Sequence, residues 1–399
     1  MVKIKQYAPQ LIFLLMTSTL CMTYFVKDVV IFQVVVYLLV FMLYIVCKKT
    51  ALHPSIALWR NIYILFAILY IARAFVELEL LGHAQELYAN NSTVYFFMIT
   101  GMLMPALFVP KLCCAKPFNY AFAFLSFVIC VSLLISLYNI FSGNVILTAD
   151  HRIQASENLG VIQYGHLGLT GAIAGYMCYM QKQNSLVFRF VGVAVIAVGF
   201  VSMLMAGTRG ALISVIVIMA IYLLVHAKFR SFIVFVFVAF ALFLSIDSIE
   251  SVFDSLGAAS VTRIIRLFSE GGDQSSGRFD LWLSAINKII ESPFWGVSCF
   301  WASSENELTY VHNSFIEITY ALGVFGLLVF MRLNWVAVKA CIVSIRSSNL
   351  DNIAFSFFYL QYFIYTLFSD SIIRVPLYWY FLLMMLNIRN RQLLRNKHL

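Results

Sequence analysis

The stretch VVIFQVVVYLLVFMLYIVC, residues 29–47, decides the fold class, because it contains no charged residue from end to end. A helix of about 20 apolar residues is long enough to cross a hydrocarbon core of roughly 30 Å. The stretch also lacks the regular alternation of apolar and polar residues that marks the strands of an outer-membrane barrel. It therefore predicts a transmembrane helix.

Similar stretches recur along the chain, in which 62% of the residues are apolar and 11% are charged. So few charges cannot cover a water-exposed surface, and lipid must be the solvent. We predict an all-α integral membrane protein with about twelve transmembrane helices in a single polytopic domain over residues 1–399. The predicted spans are 9–25, 29–47, 60–82, 93–110, 118–141, 161–181, 190–207, 210–227, 231–247, 313–331, 353–369 and 375–388.

The basic residues indicate how the chain is inserted. With the amino terminus inside, about eighteen of the 27 Lys and Arg residues fall on the cytoplasmic side, as in HAKFR (226–230). This bias orients membrane insertion, so the net charge of +9 does not indicate a nucleic-acid-binding surface. We predict no nucleic-acid partner.

Two outer segments are longer than the other connections, at about 142–160 and 248–312. Long loops in compact proteins are usually functional or disordered. In the second segment, residues 248–268 and RFDLWLSAINKII (278–290) both show apolar residues at helical spacing. We therefore predict a large non-cytoplasmic loop of amphipathic helices between spans 9 and 10.

The arginines on the outer side need an explanation, because the insertion bias disfavours them there. Arg209, in AGTRGALIS (206–214), lies at the bilayer edge, where it is either a snorkelling anchor or part of a site. The eighth and tenth spans both begin at that side, so their helix amino termini and an arginine together suit a diphosphate. The arginines of this outer group are Arg152, Arg209, Arg263, Arg266, Arg278 and Arg374.

His312 begins VHNSFIEITYALGVFGLLVF (311–330) at the mouth of the tenth span. Histidine is the natural general base near neutral pH, although a lone histidine here is also typical of an interfacial or capping residue. Asn313 or Ser314 is expected to cap the helix. Glu317, in its first turn, either compensates the helix dipole or contacts substrate.

Three further polar features have weaker signals. Tyr164 and His166 begin the sixth span and are weak candidates for lining the same cavity. Arg73 and Glu77 are spaced to neutralise each other on one helix face. No spacing of His, Cys, Asp and Glu predicts a metal site, and no cofactor is predicted.

Three segments together carry a family resemblance: AGTRGALIS (206–214), SGRFDLWLSAINKIIESPFWGVSCF (276–300) and HNSFIEITYALGVFGLL (312–328). Their order and spacing resemble the shared core of bacterial O-antigen polymerases and O-antigen ligases. The resemblance covers about residues 160–330 in detail. It implies a multi-pass protein of the bacterial inner membrane whose active site faces the periplasm.

The resemblance also implies an activity. Such enzymes are metal-independent glycosyltransferases of lipopolysaccharide biosynthesis, and their donor is a sugar chain on undecaprenyl diphosphate. By motif, Arg209 and Arg278 would hold the diphosphate, and His312 would deprotonate the acceptor hydroxyl. Arg152, Arg263, Arg266 and Arg374 are weaker candidates for positioning phosphate or glycan. The implied partners are the lipid-linked oligosaccharide, membrane lipid, and a chain-length regulator and flippase of the same pathway.

Polymerase and ligase differ in their acceptor, which is a second lipid-linked repeat unit for a polymerase and the lipid A core for a ligase. Some ligases carry a second histidine just before the one at the tenth span, whereas LTYVHN (308–313) has only His312. This difference favours a polymerase, with a ligase as the alternative. A flippase for lipid-linked sugars is the alternative of another class, but it predicts charges along a path through the bilayer rather than at one face.

Overall fold

The computed structural model describes residues 2–22, 29–46, 54–82, 90–112, 118–142, 146–147, 153–154, 160–181, 186–206, 208–226, 230, 233, 278–300 and 310–397. Within these residues the chain is almost entirely helical. The α-helices in chain order are α1 (Val2–Met22), α2 (Val29–Val46), α3 (Pro54–Phe75), α4 (Asn91–Phe97), α5 (Pro105–Leu112), α6 (Asn119–Phe141), α7 (Val161–Met180), α8 (Leu186–Ala206), α9 (Arg209–Val225), α10 (Arg278–Glu291), α11 (Ser314–Arg346), α12 (Leu350–Phe368) and α13 (Pro376–Lys397).

Five of the described helical segments are long and apolar enough to cross a membrane, judged by length and composition. This finding supports the prediction of a multi-pass membrane protein. The total of about twelve spans and the position of the large loop stay predictions. The five segments are Ala57–Leu80, Asn91–Val109, Ala121–Ile140, Leu186–Ala206 and Ser314–Arg346.

A predicted span agrees with a helix where the apolar run and the helix begin and end at nearly the same residues. The spans predicted at 29–47, 118–141 and 161–181 correspond to α2, α6 and α7 within one residue at each end. The span predicted at 313–331 is too short, because α11 continues to Arg346. The apolar run ends at the first charged residues, so the predicted span ends there. The helix continues because Ala, Leu, Lys and Arg, which occur after Phe330, all have high helix propensity. The ninth span, 231–247, lies outside the described residues except for residue 233.

The segment 142–160, predicted to lie on the outer side, contains a two-residue antiparallel ladder between β1 (Ile146–Leu147) and β2 (Ile153–Gln154). Ile146 pairs with Gln154 and Leu147 with Ile153. The prediction of an all-α protein missed this ladder, since two residues are too few for a recognisable strand alternation.

Two membrane helices contain π-helical turns. The π-helix Val76–Leu80 continues α3, and Met98–Leu103 separates α4 from α5. The hydroxyl of Tyr63 donates to the carbonyl oxygen of Met102 at 2.5 Å, so a side chain from α3 bonds to a backbone acceptor within the second of these turns. Such turns are rare in proteins and are found frequently at functional sites.

The chain divides into two compact units. Unit 1 comprises 1–47, 115–274 and 344–361, and unit 2 comprises 48–114, 275–343 and 362–399.

The core of unit 1 includes the close pair of helices α7 and α8. A Cβ atom added to Gly168 would lie 2.6 Å from the carbonyl oxygen of Gly199, and one added to Gly175 would lie 2.7 Å from that of Gly192. The two backbones therefore touch where both helices carry glycine, as small residues allow between membrane helices. A side chain at these positions would force the helices apart.

The core of unit 2 is aromatic and is built around Trp379 of α13, which is fully buried. Its ring lies 4.9 Å from that of Tyr378 and 5.6 Å from that of Tyr63, in edge-to-face contacts. Its indole nitrogen donates to the carbonyl oxygen of Ile372 at 3.0 Å. Each such ring pair contributes about 1 kcal/mol beyond the area it buries. This core fixes the turn that follows α12.

Candidate active site at the start of helix α11

The predicted amphipathic stretch 278–290 forms α10, which packs on the chain just before α11. Leu281 and Ala285 form a buried cluster with Val311 and Tyr320. The indole nitrogen of Trp282 donates to the carbonyl oxygen of Val311 at 2.8 Å. We call residues 278–300 together with 310–324 the α10–α11 junction.

Helix α11 is broken at Gly323, whose backbone angles are φ 65° and ψ −164°. The amide of Val324 donates to the carbonyl oxygen of Pro293 at 2.8 Å instead of to the carbonyl of Tyr320. That carbonyl accepts from the amides of Val297 and Ser298 at 2.6 and 3.1 Å. The segment after α10 thus supplies the hydrogen bonds that the break removes, which a membrane-embedded backbone requires.

The pair Arg73 and Glu77 holds the same segment from α3. Their side chains form an ion pair at 2.6 Å, as predicted from their spacing. The second carboxylate oxygen of Glu77 accepts from the hydroxyl of Ser298 at 2.5 Å and the amide of Cys299 at 2.8 Å. Arg73 also donates to the carbonyl oxygen of Val297 at 2.8 Å. The neutralising pair therefore also positions the junction.

His312 lies at the mouth of α11 in the left-handed backbone region, with φ 56°. Its ring is buried and lies 4.3 Å from that of Tyr310, and its Nδ1 atom has no hydrogen-bond partner among the described residues. Burial, together with the positive charges of Arg278 and Arg374, lowers the pKa of His312 to about 4. The imidazole is therefore neutral at physiological pH and able to accept a proton.

Arg278, His312 and Arg374 are brought together in unit 2. Arg278 begins α10 and donates to the carbonyl oxygen of Phe368, and burial lowers its pKa from the usual value. Arg374 forms an ion pair with Asp370 at 3.4 Å and lies over the ring of Tyr310, 5.8 Å from its centroid. Two guanidinium groups thus act electrostatically on one neutral imidazole.

Asp370 supports this cluster from the turn after α12. It has φ 53°, and His312 and Asp370 are the non-glycine residues with positive φ in the described part of the chain. The Asp370 carboxylate accepts from the hydroxyl of Tyr365 at 3.2 Å and from the amide of Ser371 at 2.9 Å. Strained residues cluster at functional sites, so these two outliers mark the same place.

Side chains at the start of α11 make hydrogen bonds within the protein. Asn313 caps the helix, since its side-chain oxygen accepts from the amides of Phe315 and Ile316. The prediction that Asn313 or Ser314 caps the helix is confirmed for Asn313. Glu317 is buried and accepts from the hydroxyl of Ser371 and the amide of Ile372. These bonds leave the helix end less available to an anion than the sequence suggested.

Arg209, Tyr164 and His166 belong to unit 1. Arg209 is the first residue of α9, and its preceding residue Thr208 makes no side-chain capping bond to that helix. Tyr164 and His166 are both buried in α7, and a Cβ atom on Gly165 between them would overlap the Thr208 hydroxyl. The structure thus brings the starts of α7 and α9 together.

The remaining sequence candidates, Arg152, Arg263 and Arg266, lie outside the described residues, as does the predicted amphipathic helix over 248–268. Their assignment stays a prediction.

Tyr310 and Asp370 were missed as site residues by the sequence reasoning. Burial and the charge of Asp370 raise the pKa of Tyr310 to about 12, so it remains a neutral phenol against the His312 ring. Asp370 had a usable signal, because it precedes Arg374, one of the arginines predicted on the outer side, by four residues in SDSIIR (369–374). Tyr310 had no such sequence signal, since the contact of its ring with the His312 ring depends on the backbone turn at His312.

The cluster combines groups suited to one type of chemistry. A neutral imidazole accepts a proton, and guanidinium groups stabilise negative charge that develops on an oxyanion leaving group. The arrangement therefore fits the transfer of a group from a phosphate-containing donor to a hydroxyl acceptor.

The family comparison agrees with this chemistry. A family model described as O-antigen ligase matches residues 192–331, about a third of the chain. The matched range includes Arg209, Arg278 and His312. No curated protein matches the chain. Residues 192–331 are therefore similar to the O-antigen ligase family, and the match supports the predicted resemblance to the superfamily of O-antigen ligases and polymerases.

Proposed function

We propose that the protein is an O-antigen polymerase, which joins oligosaccharide repeat units carried on undecaprenyl diphosphate at the periplasmic face of the inner membrane. The observation that carries the proposal is His312, a buried neutral imidazole with a left-handed backbone beside Arg278 and Arg374. It lies within the range that is similar to O-antigen ligases.

In this proposal His312 takes the proton from an acceptor sugar hydroxyl. The hydroxyl oxygen then attacks the anomeric carbon of the donor, and the bond between that carbon and the diphosphate oxygen breaks. Undecaprenyl diphosphate leaves with the electron pair. A pKa of about 4 suits a base that must be unprotonated at neutral pH, although it limits the intrinsic basicity of the group.

Arginines stabilise the diphosphate in this proposal. Arg278 contributes from the start of α10, where its guanidinium is half-buried, so its charge is screened less than that of a surface residue. Arg374 contributes beside Tyr310 and Asp370. Arg209 is assigned by its motif AGTRGALIS (206–214) within the matched range. The reaction needs neither a metal nor a cofactor.

A ligase is the second candidate, because the family model that matches the chain is described as O-antigen ligase. Its donor and its chemistry are the same, and its acceptor is the lipid A core. The polymerase is preferred because LTYVHN (308–313) has His312 as its single histidine. A chain-length regulator and the flippase that delivers the donor are the partners proposed for either enzyme.

The test in cells is a lipopolysaccharide gel from a deletion strain, with and without the restored gene, beside an assay of undecaprenyl-linked glycan. Core bearing a single repeat unit identifies a polymerase. Bare core with long chains on the lipid carrier identifies a ligase. An unchanged ladder excludes both.

The site assignment is tested by His312→Ala, Arg278→Ala and Arg209→Ala in the restored gene. Each is expected to abolish product at a normal protein level. Arg346→Ala is the matched control, because Arg346 is an exposed arginine at the opposite end of α11 and should leave the product unchanged. Normal product from all three site variants contradicts the assignment.

A further inference from the structure

Helix α10 has three distinct faces rather than the two of an ordinary amphipathic helix. One stripe of four residues faces the protein and contains Leu281, Trp282, Ala285 and Ile289. A second stripe of exposed polar residues contains Asp280, Ser284, Asn287 and Glu291. A third stripe is exposed and apolar, and it contains Phe279, Leu283, Ile286 and Ile290.

The third stripe, which we call the outward apolar stripe, follows the same i, i+4, i+7, i+11 spacing as the polar one. Its residues are strongly exposed, at 69% for Phe279 and 68% for Ile290. Phe294 and Trp295 directly after the helix are also exposed, Trp295 at 78%. A helix between protein and water needs only a buried face and a polar face. A separate apolar face indicates a third, apolar environment.

The outward apolar stripe continues into the surface of a membrane-spanning helix. The ring of exposed Phe294 lies 6.2 Å from the ring of exposed Phe325 in α11. From Phe325 an exposed apolar row runs along α11 through Leu328, Met331 and Trp335. Since α11 is long and apolar enough to cross a membrane, lipid is the expected environment of this row. The apolar surface of α10 is therefore connected to a surface that is expected to face lipid.

We propose that the outward apolar stripe of α10, together with Phe294 and Trp295, is buried in the lipid leaflet that surrounds the amino-terminal end of α11. Helix α10 then lies in the membrane interface, with its protein stripe on α11 and its polar stripe in water. Trp and Phe at the boundary between lipid and water are typical of such helices.

This placement has a consequence for Arg278. It is the first residue of α10, so a helix seated in the interface holds its guanidinium at the depth of the lipid head groups. A diphosphate attached to a membrane-anchored chain lies at that depth as well. This consequence rests on the proposed function, whereas the lipid contact itself does not.

Tryptophan fluorescence tests the lipid contact. The full chain is placed in nanodiscs whose phospholipids carry bromine near the top of the acyl chains, and the signal of Trp295 is the difference between the natural protein and Trp295→Phe. We expect bromine to quench this signal and aqueous acrylamide to leave it largely unchanged. The difference for Trp282→Phe is the control, because Trp282 lies on the protein stripe and should respond weakly to both.

Two other outcomes overturn the proposal. Quenching of Trp295 by acrylamide alone places the stripe in water. Quenching by neither reagent shows that protein covers it, either another segment of this chain or a second copy. None of these measurements requires glycan transfer, so the lipid contact and the proposed function fail independently.

A pair of variants tests the stripe itself. Leu283→Lys puts a charge in the outward apolar stripe, and Asn287→Lys puts the same charge in the polar stripe. We expect Leu283→Lys to weaken the bromine quenching of Trp295 by lifting the helix toward water, and Asn287→Lys to leave it unchanged. Equal quenching in both variants contradicts the proposal.

Discussion

Glycine allows close backbone contact in two regions of this protein, but for different physical reasons. In the α7–α8 pair, Gly168 and Gly199 keep helical backbones, and what matters is the missing volume of a side chain. In the α10–α11 junction, Gly296 and Gly323 have φ values of 75° and 65°, and what matters is a conformation that other residues rarely adopt.

The difference shows in the bonds that each region makes. Helices α7 and α8 are each continuous, and packing holds them against each other. The junction gives up a helical bond of α11 and replaces it with bonds from residues 293–298, which Arg73 and Glu77 hold in place. The α10–α11 junction is held by specific hydrogen bonds, which define its geometry. It contains His312 and Arg278.

The largest expected effect is that of Gly323→Ala. The new Cβ would lie 2.2 Å from the carbonyl oxygen of Phe294, on a backbone that is essentially restricted to glycine. We expect a loss of about 4 kcal/mol from strain and overlap together. Thermal unfolding in detergent measures it. Gly82→Ala is the control with φ 67° and nothing within 4 Å, and it should cost only about 1–2 kcal/mol. Equal losses in the two variants would show that overlap plays no part.

Gly168→Ala should have the next largest effect, because its Cβ would lie 2.6 Å from the backbone oxygen of Gly199. We expect a net loss of about 2 kcal/mol, since overpacking exceeds the gain in helix propensity. Gly171→Ala in the same helix meets the Cγ2 methyl of Ile129 at 2.8 Å, a side-chain group that can shift further than a backbone atom, and should cost only about 1 kcal/mol. Comparable unfolding temperatures for the two alanine variants would contradict a volume-limited contact.

Glu77→Gln removes one partner of the ion pair that holds the junction. We expect a loss of about 2 kcal/mol, below the roughly 3–5 kcal/mol for breaking a fully buried pair, because the Arg73 side chain is 30% exposed. Proteolytic sensitivity near residues 297–299, with the unfolding temperature, measures this loss. Glu79→Gln is the matched control, since Glu79 is exposed and contacts Asn91 and Tyr95. No difference between the two variants would remove the positioning role of Glu77.

The smallest effect at neutral pH concerns His312, whose pKa is about 4 in the folded chain. The unfolded chain binds the proton first as pH falls below the usual histidine pKa of about 6.5. The free energy of unfolding should therefore decrease as the pH falls from about 6.5 toward 4. In His312→Gln, the part of this decrease that is due to His312 should be absent. Thermal unfolding of both proteins across that range measures it.

The same pKa predicts the pH profile of glycan transfer under the proposed function. The acidic limb of this profile, where activity falls as the pH is lowered, should lie well below pH 6.5. The reason is that His312 is still unprotonated at pH 6.5. Arg374→Gln removes a positive charge that lowers this pKa and should move the limb to higher pH. An unmoved limb in that variant would show that the limb reports another group.

The sequence predicted the helices well where physical causes are local. Runs such as 29–47 are apolar throughout, and the stretch 278–290 has helical spacing, so α2 and α10 were located within one or two residues. The ion pair of Arg73 and Glu77 was also predictable, since residues four apart share a helix face. The arginines predicted on the outer side and His312 were singled out because the insertion bias and the position of a residue relative to a predicted span can both be read from the sequence.

Contacts between distant residues were not predictable in this way. The break at Gly323 depends on Pro293 and Val297, which lie about 25 to 30 residues away, and no local pattern distinguishes that glycine from Gly326. The grouping of Tyr310, Asp370 and Arg374 around His312 depends on a left-handed turn at each of two residues. Burial, which sets the pKa of His312, results from packing of the whole unit.

The sequence by itself therefore determined that the chain is a helical membrane protein, and which side chains are candidates for chemistry. Hydrophobicity, helical periodicity and charge can be read along the sequence, so predictions from them do not require a structure. The tertiary structure decided which candidates meet, that Glu317 bonds to Ser371 and Ile372, and that α10 presents a second apolar face. These features arise only when segments far apart in the chain exclude water from each other and satisfy each other's hydrogen bonds.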